Sequence, residues 1–156
     1  MSNQPVTEAL KRVLADTYGL MVKTQNYHWN VEGPNFPGLH ALFMTQYSEL
    51  FLAVDVIAER IRALGEKAPG GYGEFARLSK VRDGDGEAES DDMVRDLYET
   101  NLLVLAGIKK AFAAAEKAGD DATVDMLTQR IGLHEKTAWM LKSSLPKNVK
   151  AKRKTG

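Results

Sequence analysis

The sequence predicts an all-α protein built as a four-helix bundle. Apolar residues recur every three or four positions in four long segments, and no segment alternates apolar and polar residues as a strand would. The connections between these segments contain glycine and proline. The chain has 156 residues, 44% hydrophobic and 27% charged, which is typical of one globular domain. We expect the bundle to span residues 1–146 and a basic tail to span residues 147–156.

The first two helices follow from seams of apolar or small residues with alternating steps of four and three. The first seam consists of Val6, Leu10, Val13, Thr17, Leu20, Thr24 and Tyr27. The second consists of Phe43, Tyr47, Leu50, Val54, Ile57, Ile61 and Leu64. Gly65 and Pro69 follow the second seam and are expected to end its helix.

The third and fourth helices have the same periodicity. The third seam consists of Val94, Leu97, Asn101, Leu105, Ile108, Phe112 and Ala115, with Ser90 as the predicted N-cap and Gly119 as the stop. The fourth consists of Val124, Leu127, Ile131, His134, Ala138, Leu141 and Leu145. The long link between the second and third helices, residues 65–89, is predicted to contain a short helix over residues 74–81.

Composition and charge limit the possible chemistry. Without cysteine the chain has no disulfide, thiolate ligand or cysteine nucleophile, so imidazole and oxygen must hold any metal. Five of the 21 basic residues lie in the last ten positions, which leaves 16 basic against 21 acidic residues, a net of −5, in the rest of the chain. The N-terminus lacks the pattern of a signal peptide and the apolar runs are short, which predicts a cytoplasmic protein with no membrane partner.

Two of the three histidines flank the segment that separates the first helix from the second. His28 lies at the end of the first helix and His40 near the start of the second, with two glycines and two prolines between them. Because this loop reverses the chain, we expect the two imidazoles to lie side by side. A lone histidine on a helix is more often structural, but two together can form half of a metal site.

Asp55 and Glu59 are the candidates for the other half. Their spacing of four residues places both carboxylates on one face of the second helix, where they could bind one cation together. Solvated carboxylates at this spacing are also common, and Arg60 and Arg62 could pair with them instead.

One chain cannot complete this site. His40 and Asp55 share a broad face of one helix, but fifteen residues separate them by about 22 Å along its axis. The two ends meet if the second helix packs antiparallel against its copy in another subunit across a two-fold axis. Two imidazoles and two carboxylates then form a mixed nitrogen and oxygen site that suits iron.

The residues of this region resemble those of the Dps family, the ferritin-like proteins of starved bacterial cells. The resemblance is carried by NYHWNVEGPNFPGLH, by Tyr47 seven residues after His40, and by DVIAERI. It covers the chain from about Thr7 to Leu145. The E-x-x-H motifs of ordinary ferritins are absent, as is the pattern of a fifth long helix, so the chain does not resemble a 24-subunit ferritin.

The resemblance implies a hollow shell of twelve subunits with iron at each two-fold interface. It implies His28, His40, Asp55 and Glu59 as metal ligands and catalytic residues, with iron as the metal. Fe(II) would be oxidised there, preferably by hydrogen peroxide, and stored as a ferric mineral inside the shell. DNA would be spared because iron oxidised in this way releases no hydroxyl radical.

Two residues beside this set are ambiguous. Many members of the family have an acidic residue one turn after the second histidine, and here Met44 stands there, a poor ligand for Fe(II). The second iron position is therefore in question. Trp29 matches a tryptophan that lies near the centre in the family, where it could intercept oxidising equivalents or serve as an aromatic packing anchor.

Other residues have competing interpretations. His134 falls on the fourth seam and is predicted to be a buried core histidine, and Trp139 is also predicted to pack in the core. An acidic group at the start of the fourth helix could cap that helix, or could line the three-fold pores through which iron enters in the family. This group consists of Asp120, Asp121 and Asp125.

The C-terminal tail is the predicted DNA contact. Its basic residues are Lys147, Lys150, Lys152, Arg153 and Lys154, and twelve copies would give roughly 60 positive charges around a shell. The tail could also serve only solubility. Since the N-terminus has no basic residue before Lys11, only this end is expected to bind DNA.

The sequence thus predicts a ferroxidase and iron-storage mini-ferritin, associated with the nucleoid, that protects DNA. Two other functions are compatible with the pattern. The first is a DNA-compacting protein with little ferroxidase activity, because Met44 replaces a carboxylate. The second is a mononuclear iron oxygenase, although no pocket for an organic substrate is evident.

Overall fold

The computed structural model describes residues 4–147 as five α-helices, and no strand occurs in that range. The helices are α1 (Gln4–Asn30), α2 (Phe36–Ala63), α3 (Tyr72–Leu78), α4 (Ser90–Ala118) and α5 (Asp121–Ser143). The four long helices form a bundle, and the short α3 lies in the crossover between α2 and α4. The predicted all-α four-helix bundle with an extra short helix is confirmed.

Contacts between the helices fix their directions. Side chains of α1 meet α4 in reversed order, because Asp16 lies near Gly107 while Lys23 contacts Thr100. The α1 and α2 helices are also antiparallel, since Lys11 reaches Glu66 and His28 reaches His40. Both α2 and α4 therefore run opposite to α1 and parallel to each other. A long crossover is required because the chain must return along the whole bundle before α4 begins.

Most helix ends follow the predicted signals. Gly119 adopts the left-handed conformation, with φ of 68°, and ends α4 as predicted. Two boundaries differ from the prediction. The α3 helix begins at Tyr72 and ends at Leu78. Ser90 is the first residue of α4 rather than its N-cap, which is Glu89 and makes no capping bond through its side chain.

The core is mainly apolar, but polar side chains are buried between α1 and α4 and between α2 and α5. Close packing joins α1 to α2, α1 to α4 and α4 to α5. The α2 and α5 helices are instead bridged by charged side chains, from Arg130 to Glu49 and from Arg60 to Asp120. A wider gap between these two helices accommodates the polar groups. Most of them are hydrogen-bonded, but Nε2 of Gln46 and Nε of Arg130 have no partner within residues 4–147.

The α2 helix is apolar on more than its core face. Within residues 4–147 it is the one helix long and apolar enough to cross a membrane by length and composition, with 22% of its apolar window buried. Length and composition alone are weak evidence for a membrane span. Its exposed apolar residues nevertheless require a partner surface of some kind. Their arrangement around the candidate ligands is described below.

Candidate metal centre

The first half of the candidate centre is a stacked pair of imidazoles. The rings of His28 and His40 lie nearly parallel, with centroids 3.8 Å apart and planes inclined by 16°. Gly33, with φ of 108°, allows the reversal between α1 and α2 that brings them together. The predicted approach of the two histidines is thus observed.

Each histidine holds the other through its backbone. Nδ1 of His28 lies 2.7 Å from the carbonyl oxygen of His40, and Nδ1 of His40 lies 2.6 Å from the carbonyl oxygen of His28. A carbonyl oxygen only accepts hydrogen bonds, so each Nδ1 carries the proton and donates it. In a neutral imidazole the lone pair then resides on Nε2. No hydrogen-bond partner for either Nε2 occurs within residues 4–147.

Aromatic side chains surround the pair. Tyr47 meets His28 edge to face with ring centroids 5.2 Å apart, and Phe36 stacks on His40 at 4.9 Å. His28 is buried and His40 is partly exposed. Trp29, the next residue after His28, is 68% exposed. A packing role for this tryptophan must therefore lie outside the core of its own chain.

The candidate carboxylates lie on the same helix as His40 but away from the histidines. Asp55 and Glu59 are both exposed on α2, and neither makes an ion pair within the described range. Arg60 instead pairs with Asp120 at 2.7 Å, and Arg62 donates to the backbone oxygen of Glu66. The alternative in which these arginines neutralise Asp55 and Glu59 is therefore wrong. Met44 is 47% exposed, one turn after His40.

An apolar surface surrounds the carboxylates. Phe51, Leu52 and Val56 of α2 are 63%, 67% and 53% exposed. With Tyr18 of α1 and Phe75 of α3 they line a groove of about 540 Å³ that also includes Asp55. An apolar surface of this kind on a bundle is typical of a protein–protein contact.

A single chain does not assemble the four predicted ligands. No group of three or more histidine or acidic side chains positioned to hold a metal ion occurs between residues 4 and 147. The structure brings His28 and His40 together, and places Asp55 and Glu59 together on another part of α2. Joining the two pairs in one centre stays a prediction that needs a second subunit.

The three acidic residues at the start of α5 differ in their contacts. Asp120 caps the helix, accepting a bond from the Thr123 backbone at 3.1 Å, and pairs with Arg60. Burial opposes its ionisation, but the bonds from Thr123 and the charge of Arg60 outweigh burial and lower the pKa of Asp120. Asp121 and Asp125 are exposed. Capping by Asp120 is thus observed, and the pore role of the group stays a prediction.

His134 is a core residue, as predicted. It is 2% exposed, its Nδ1 lies 2.8 Å from Oδ1 of Asn101, and Nη2 of Arg130 lies 3.1 Å from its Nε2. Burial, followed by the nearby Arg130 charge, lowers the pKa of His134 to about 3. The expectation that Trp139 packs in the core is wrong, because its ring is 64% exposed on α5. It follows Ala138 of the fourth seam and lies off the buried face.

Sequence reasoning missed two features of the centre, and only the second had a sequence signal. The carbonyl oxygens that orient the imidazoles belong to the backbone, so residue identity does not reveal them. The apolar rim of the carboxylates could have been found from Phe51, Leu52 and Val56, which fall beside the predicted seam of α2. Of the tail, Lys147 is exposed, whereas Lys150, Lys152, Arg153 and Lys154 lie outside the described residues.

Comparison with known proteins identifies the class first. The family model of the ferritin-like domain matches residues 7–148. Together with the stacked histidines and the acidic face of α2, this match defines the chain as a ferritin-like helical bundle. A Dps protein from Vibrio cholerae, described as a member of a broad superfamily of ferritin-like diiron-carboxylate proteins, is similar with a TM-score of 0.88 at 26% identity. The similarity covers 91% of this chain and 89% of that one.

Closer relatives specify the family. DNA protection during starvation protein 2 from Bacillus anthracis is 34% identical over 143 residues, which cover 92% of this chain and 98% of that protein. Dps from Staphylococcus aureus is 32% identical, with a TM-score of 0.90 over 94% of this chain and 98% of that chain. The chain belongs to the Dps family.

Proposed function

We propose that this protein oxidises Fe(II) at centres shared by two subunits and stores the ferric product inside a twelve-subunit shell. The observation that carries the proposal is the reciprocal bonding of His28 and His40, which directs two Nε2 lone pairs away from the protein's own hydrogen bonds. Asp55 and Glu59 of a second subunit supply the remaining ligands. Iron is the substrate and cargo of this centre.

The donor set fits Fe(II). Two imidazole nitrogens and two carboxylate oxygens match the ligand preference of a borderline divalent cation, and two carboxylates balance its charge. The bonds from each Nδ1 to a carbonyl fix the orientation of the rings and increase the basicity of the ligating nitrogens. The ring contacts of Phe36 and Tyr47 restrict access of water to the pair. The apolar rim around Asp55 would do the same from the other subunit.

Hydrogen peroxide is the proposed oxidant. Two Fe(II) each give up one electron, and one peroxide takes both electrons and two protons to form two water molecules. Because no single electron reaches peroxide alone, no hydroxyl radical is released. Met44 leaves the second iron with a weak ligand, so we expect one iron to bind firmly and the second only transiently.

Complementation between two inactive variants tests whether the centre is shared. One variant is His28→Ala/His40→Ala, and the other is Asp55→Asn/Glu59→Gln. Each alone is expected to lose peroxide-driven Fe(II) oxidation. In a mixed dimer, one of the two centres combines the intact histidines of one chain with the intact acids of the other. Random coassembly should therefore restore about a quarter of the wild-type rate.

The outcome separates a shared centre from one within a chain. If each chain held a whole centre, the mixture would remain as inactive as its components. The matched control is Asp91→Asn/Glu99→Gln, which removes two carboxylates of α4 and should oxidise iron at the wild-type rate. Light scattering confirms that every variant assembles. Unchanged oxidation in the histidine variant would remove His28 and His40 from the mechanism.

DNA is the proposed second partner, and the cytoplasmic nucleoid is the proposed location. Relatives of this chain are named DNA protection during starvation proteins. The tail carries five positive charges and no acidic residue, whereas the rest of the chain has a net of −5. Twelve tails on one shell would bind phosphates together even if each binds weakly. Such binding is independent of base sequence and weakens steeply with salt.

Deletion of residues 147–156 tests the tail. We expect the truncated protein to lose retardation of duplex DNA in a gel at low salt, because it lacks five phosphate-binding charges per subunit. Fe(II) oxidation should continue at the wild-type rate, since the proposed ligands lie in the bundle. Equal retardation by the full and shortened chains would contradict this role for the tail.

A second candidate function is favoured by one residue. With Met44 in place of a carboxylate, the centre could bind iron too weakly for useful turnover, and DNA compaction would then be the main activity. Anaerobic Fe(II) titration distinguishes the two. Firm binding of at least one Fe(II) per centre supports the ferroxidase, and binding no tighter than that of the Asp55→Asn/Glu59→Gln variant contradicts it.

A further inference from the structure

A groove between α1 and α4 is lined by three cations from distant parts of the chain. It encloses about 380 Å³. Arg12 contributes from α1, Lys80 from the segment after α3, and Lys110 from α4. None of the residues that line the groove belongs to α2, so it lies apart from the proposed iron centre and its apolar rim.

The three cations have no anionic partner of their own. Their side chains are free of ion pairs and hydrogen bonds within residues 4–147, unlike those of Lys11, Lys23 and Lys109. The one acidic residue that lines the groove is Asp16, which is 5% exposed. The groove therefore has three cations against one carboxylate, in a body whose overall charge is negative.

The carboxylate of Asp16 has a structural task that places one of the cations. Its Oδ1 accepts a bond from the Lys80 backbone nitrogen at 2.7 Å and from the Ser79 hydroxyl at 2.9 Å. These bonds tie the end of the crossover to α1. The side chain of Lys80 is thereby held over the groove, beside Arg12 and Lys110.

Small residues form part of the lining of the groove, beside the apolar side chains of Val13 and Leu103. Ala9, Ala106 and Gly107 line it, and a Cβ added at Gly107 would meet only Oδ2 of Asp16, at 3.6 Å. An oxyanion can therefore approach the backbone at Gly107 closely. The guanidinium of Arg12 can bind two oxygens of a phosphate at once, and the two lysines add compact charges.

We propose that this groove binds phosphates of the DNA backbone and that the body of the protein, not the tail alone, contacts DNA. This inference rests on the proposed function for the choice of DNA as partner. A free phosphate ion presents the same chemistry, so the experiment must separate the two. Contacts to the backbone would orient the DNA on the shell, whereas the tail would mainly increase its local concentration.

Neutralising the groove in the full-length chain tests the proposal. The variant is Arg12→Gln/Lys80→Gln/Lys110→Gln. The matched control is Arg77→Gln/Lys67→Gln/Lys117→Gln, which also removes one arginine and two lysines, but from exposed positions outside the groove. The apparent Kd for a duplex of about 30 base pairs is measured by fluorescence anisotropy from about 50 to 200 mM NaCl, the range over which phosphate binding responds most clearly to salt. The same measurement is repeated with sodium phosphate at matched ionic strength.

We expect the groove variant to bind DNA on the order of tenfold more weakly at low salt, because it neutralises fewer phosphates. The slope of log K against log salt should become shallower by about 0.9 for each phosphate that the protein no longer neutralises. The control should retain the wild-type slope. Equal weakening of both variants, or none in the groove variant, overturns the proposal. The proposal is also overturned if ³¹P NMR shows that inorganic phosphate saturates the groove while the Kd for DNA is unchanged.

Failure of this inference is distinguishable from failure of the proposed function. If the wild-type protein binds no DNA, the DNA part of the proposed function fails and the groove proposal fails with it. If wild-type binding survives substitution of the groove cations, only the groove proposal fails. Fe(II) oxidation, measured on the same preparations, should be unchanged in both variants and confirms that they are folded.

Discussion

At the scale of single residues, His28 and His40 combine two tasks. Their Nδ1 atoms join the end of α1 to the start of α2 through bonds of 2.7 and 2.6 Å. Their Nε2 atoms remain available for a ligand. Because metal must compete with a proton for Nε2, acid should weaken iron binding at this pair. Loss of one ring removes one of these bonds and the stacking contact, while the other ring keeps its bond to a backbone carbonyl.

His134 shows the opposite use of an imidazole. It accepts from Arg130 and lies against Asn101 in the polar gap between α2 and α5, where the guanidinium of Arg130 is itself paired with Glu49. A second proton on its ring would create a positive charge, buried next to that guanidinium. Its neutral form is thus required by the fold, and a metal role is not available to it.

The pKa of His134 predicts how stability depends on pH. Its folded value of about 3 lies below the ordinary value of 6.5, so the unfolded chain binds the proton more readily. The stabilisation is complete above pH 6.5 and is lost as the pH falls towards 3. Between about pH 7 and pH 5 we expect the free energy of unfolding to fall by about 2 kcal/mol per chain from this residue.

The variant His134→Asn isolates that contribution. It should be less stable than the wild type at neutral pH, by about 1–3 kcal/mol, because it removes the buried ring that accepts from Arg130 and bonds to Asn101. Its loss of stability on acidification to about pH 5 should be smaller than that of the wild type, because it lacks the His134 imidazole. The other two histidines are present in both proteins and do not cause the difference. Urea unfolding at one protein concentration measures both changes. Parallel pH profiles would contradict this account of His134.

At the scale of elements, the crossover is attached to the bundle at specific points. Tyr27 of α1 is 1% exposed, its hydroxyl donates to Asp96 of α4, and it accepts from the backbone nitrogen of Asp85 at 3.2 Å. Gly84 lies against this ring. A Cβ at Gly84 would lie 2.8 Å from Cζ of Tyr27, closer than real contacts allow.

Substitution of this glycine tests the attachment. Gly84→Ala should lower the free energy of unfolding by about 1–3 kcal/mol, because the ring of Tyr27 must shift and strain its two hydrogen bonds. Gly70→Ala is the control in the same crossover, since a Cβ there meets nothing within 4 Å. The control should change stability by less than about 0.5 kcal/mol. Similar losses in both variants, measured by thermal unfolding, would argue against the close approach.

The α2 helix has to serve two surfaces at once. One face, with Phe43 and Ile57 fully buried, belongs to the core, and another presents Phe51, Leu52 and Val56 outside it. The apolar content that makes this helix resemble a membrane span by composition is accounted for if the second face is covered by another subunit. The charged side chains of Asp55 and Glu59 then lie inside that contact.

At the scale of the whole molecule, assembly should depend on this face. Val56→Glu places a carboxylate without a partner in the proposed interface, where its burial costs several kcal/mol. We expect the variant to fall apart into smaller species, measured by light scattering, while its circular dichroism stays helical. Leu102→Glu, on an exposed position of α4, is the control and should assemble normally. An intact assembly of the Val56 variant would place the interface elsewhere.

Local periodicity was sufficient for the elements. The four seams, the glycine stop of α4 and the short helix of the crossover were all predictable, because each depends on residues within a few turns. The direct meeting of His28 and His40 was also predictable, since only one short loop separates them. Ser90 and Trp139 were placed wrongly, because a cap and a buried position depend on neighbours that periodicity does not contain.

The sequence by itself determined the helices, the histidine pair and the need for a second subunit to unite the four predicted ligands, because helix rise and turn geometry are local properties. Only the tertiary structure decided which charges remain free. Packing brings together charges that are far apart in sequence, so that Arg60 pairs with Asp120 and Arg130 pairs with Glu49. Packing also brings Arg12, Lys80 and Lys110 to one groove without partners in the described part of the chain. Pairs within one helix turn, such as Lys11 with Glu8, follow from spacing, but pairing between distant segments depends on three-dimensional proximity that no linear pattern encodes.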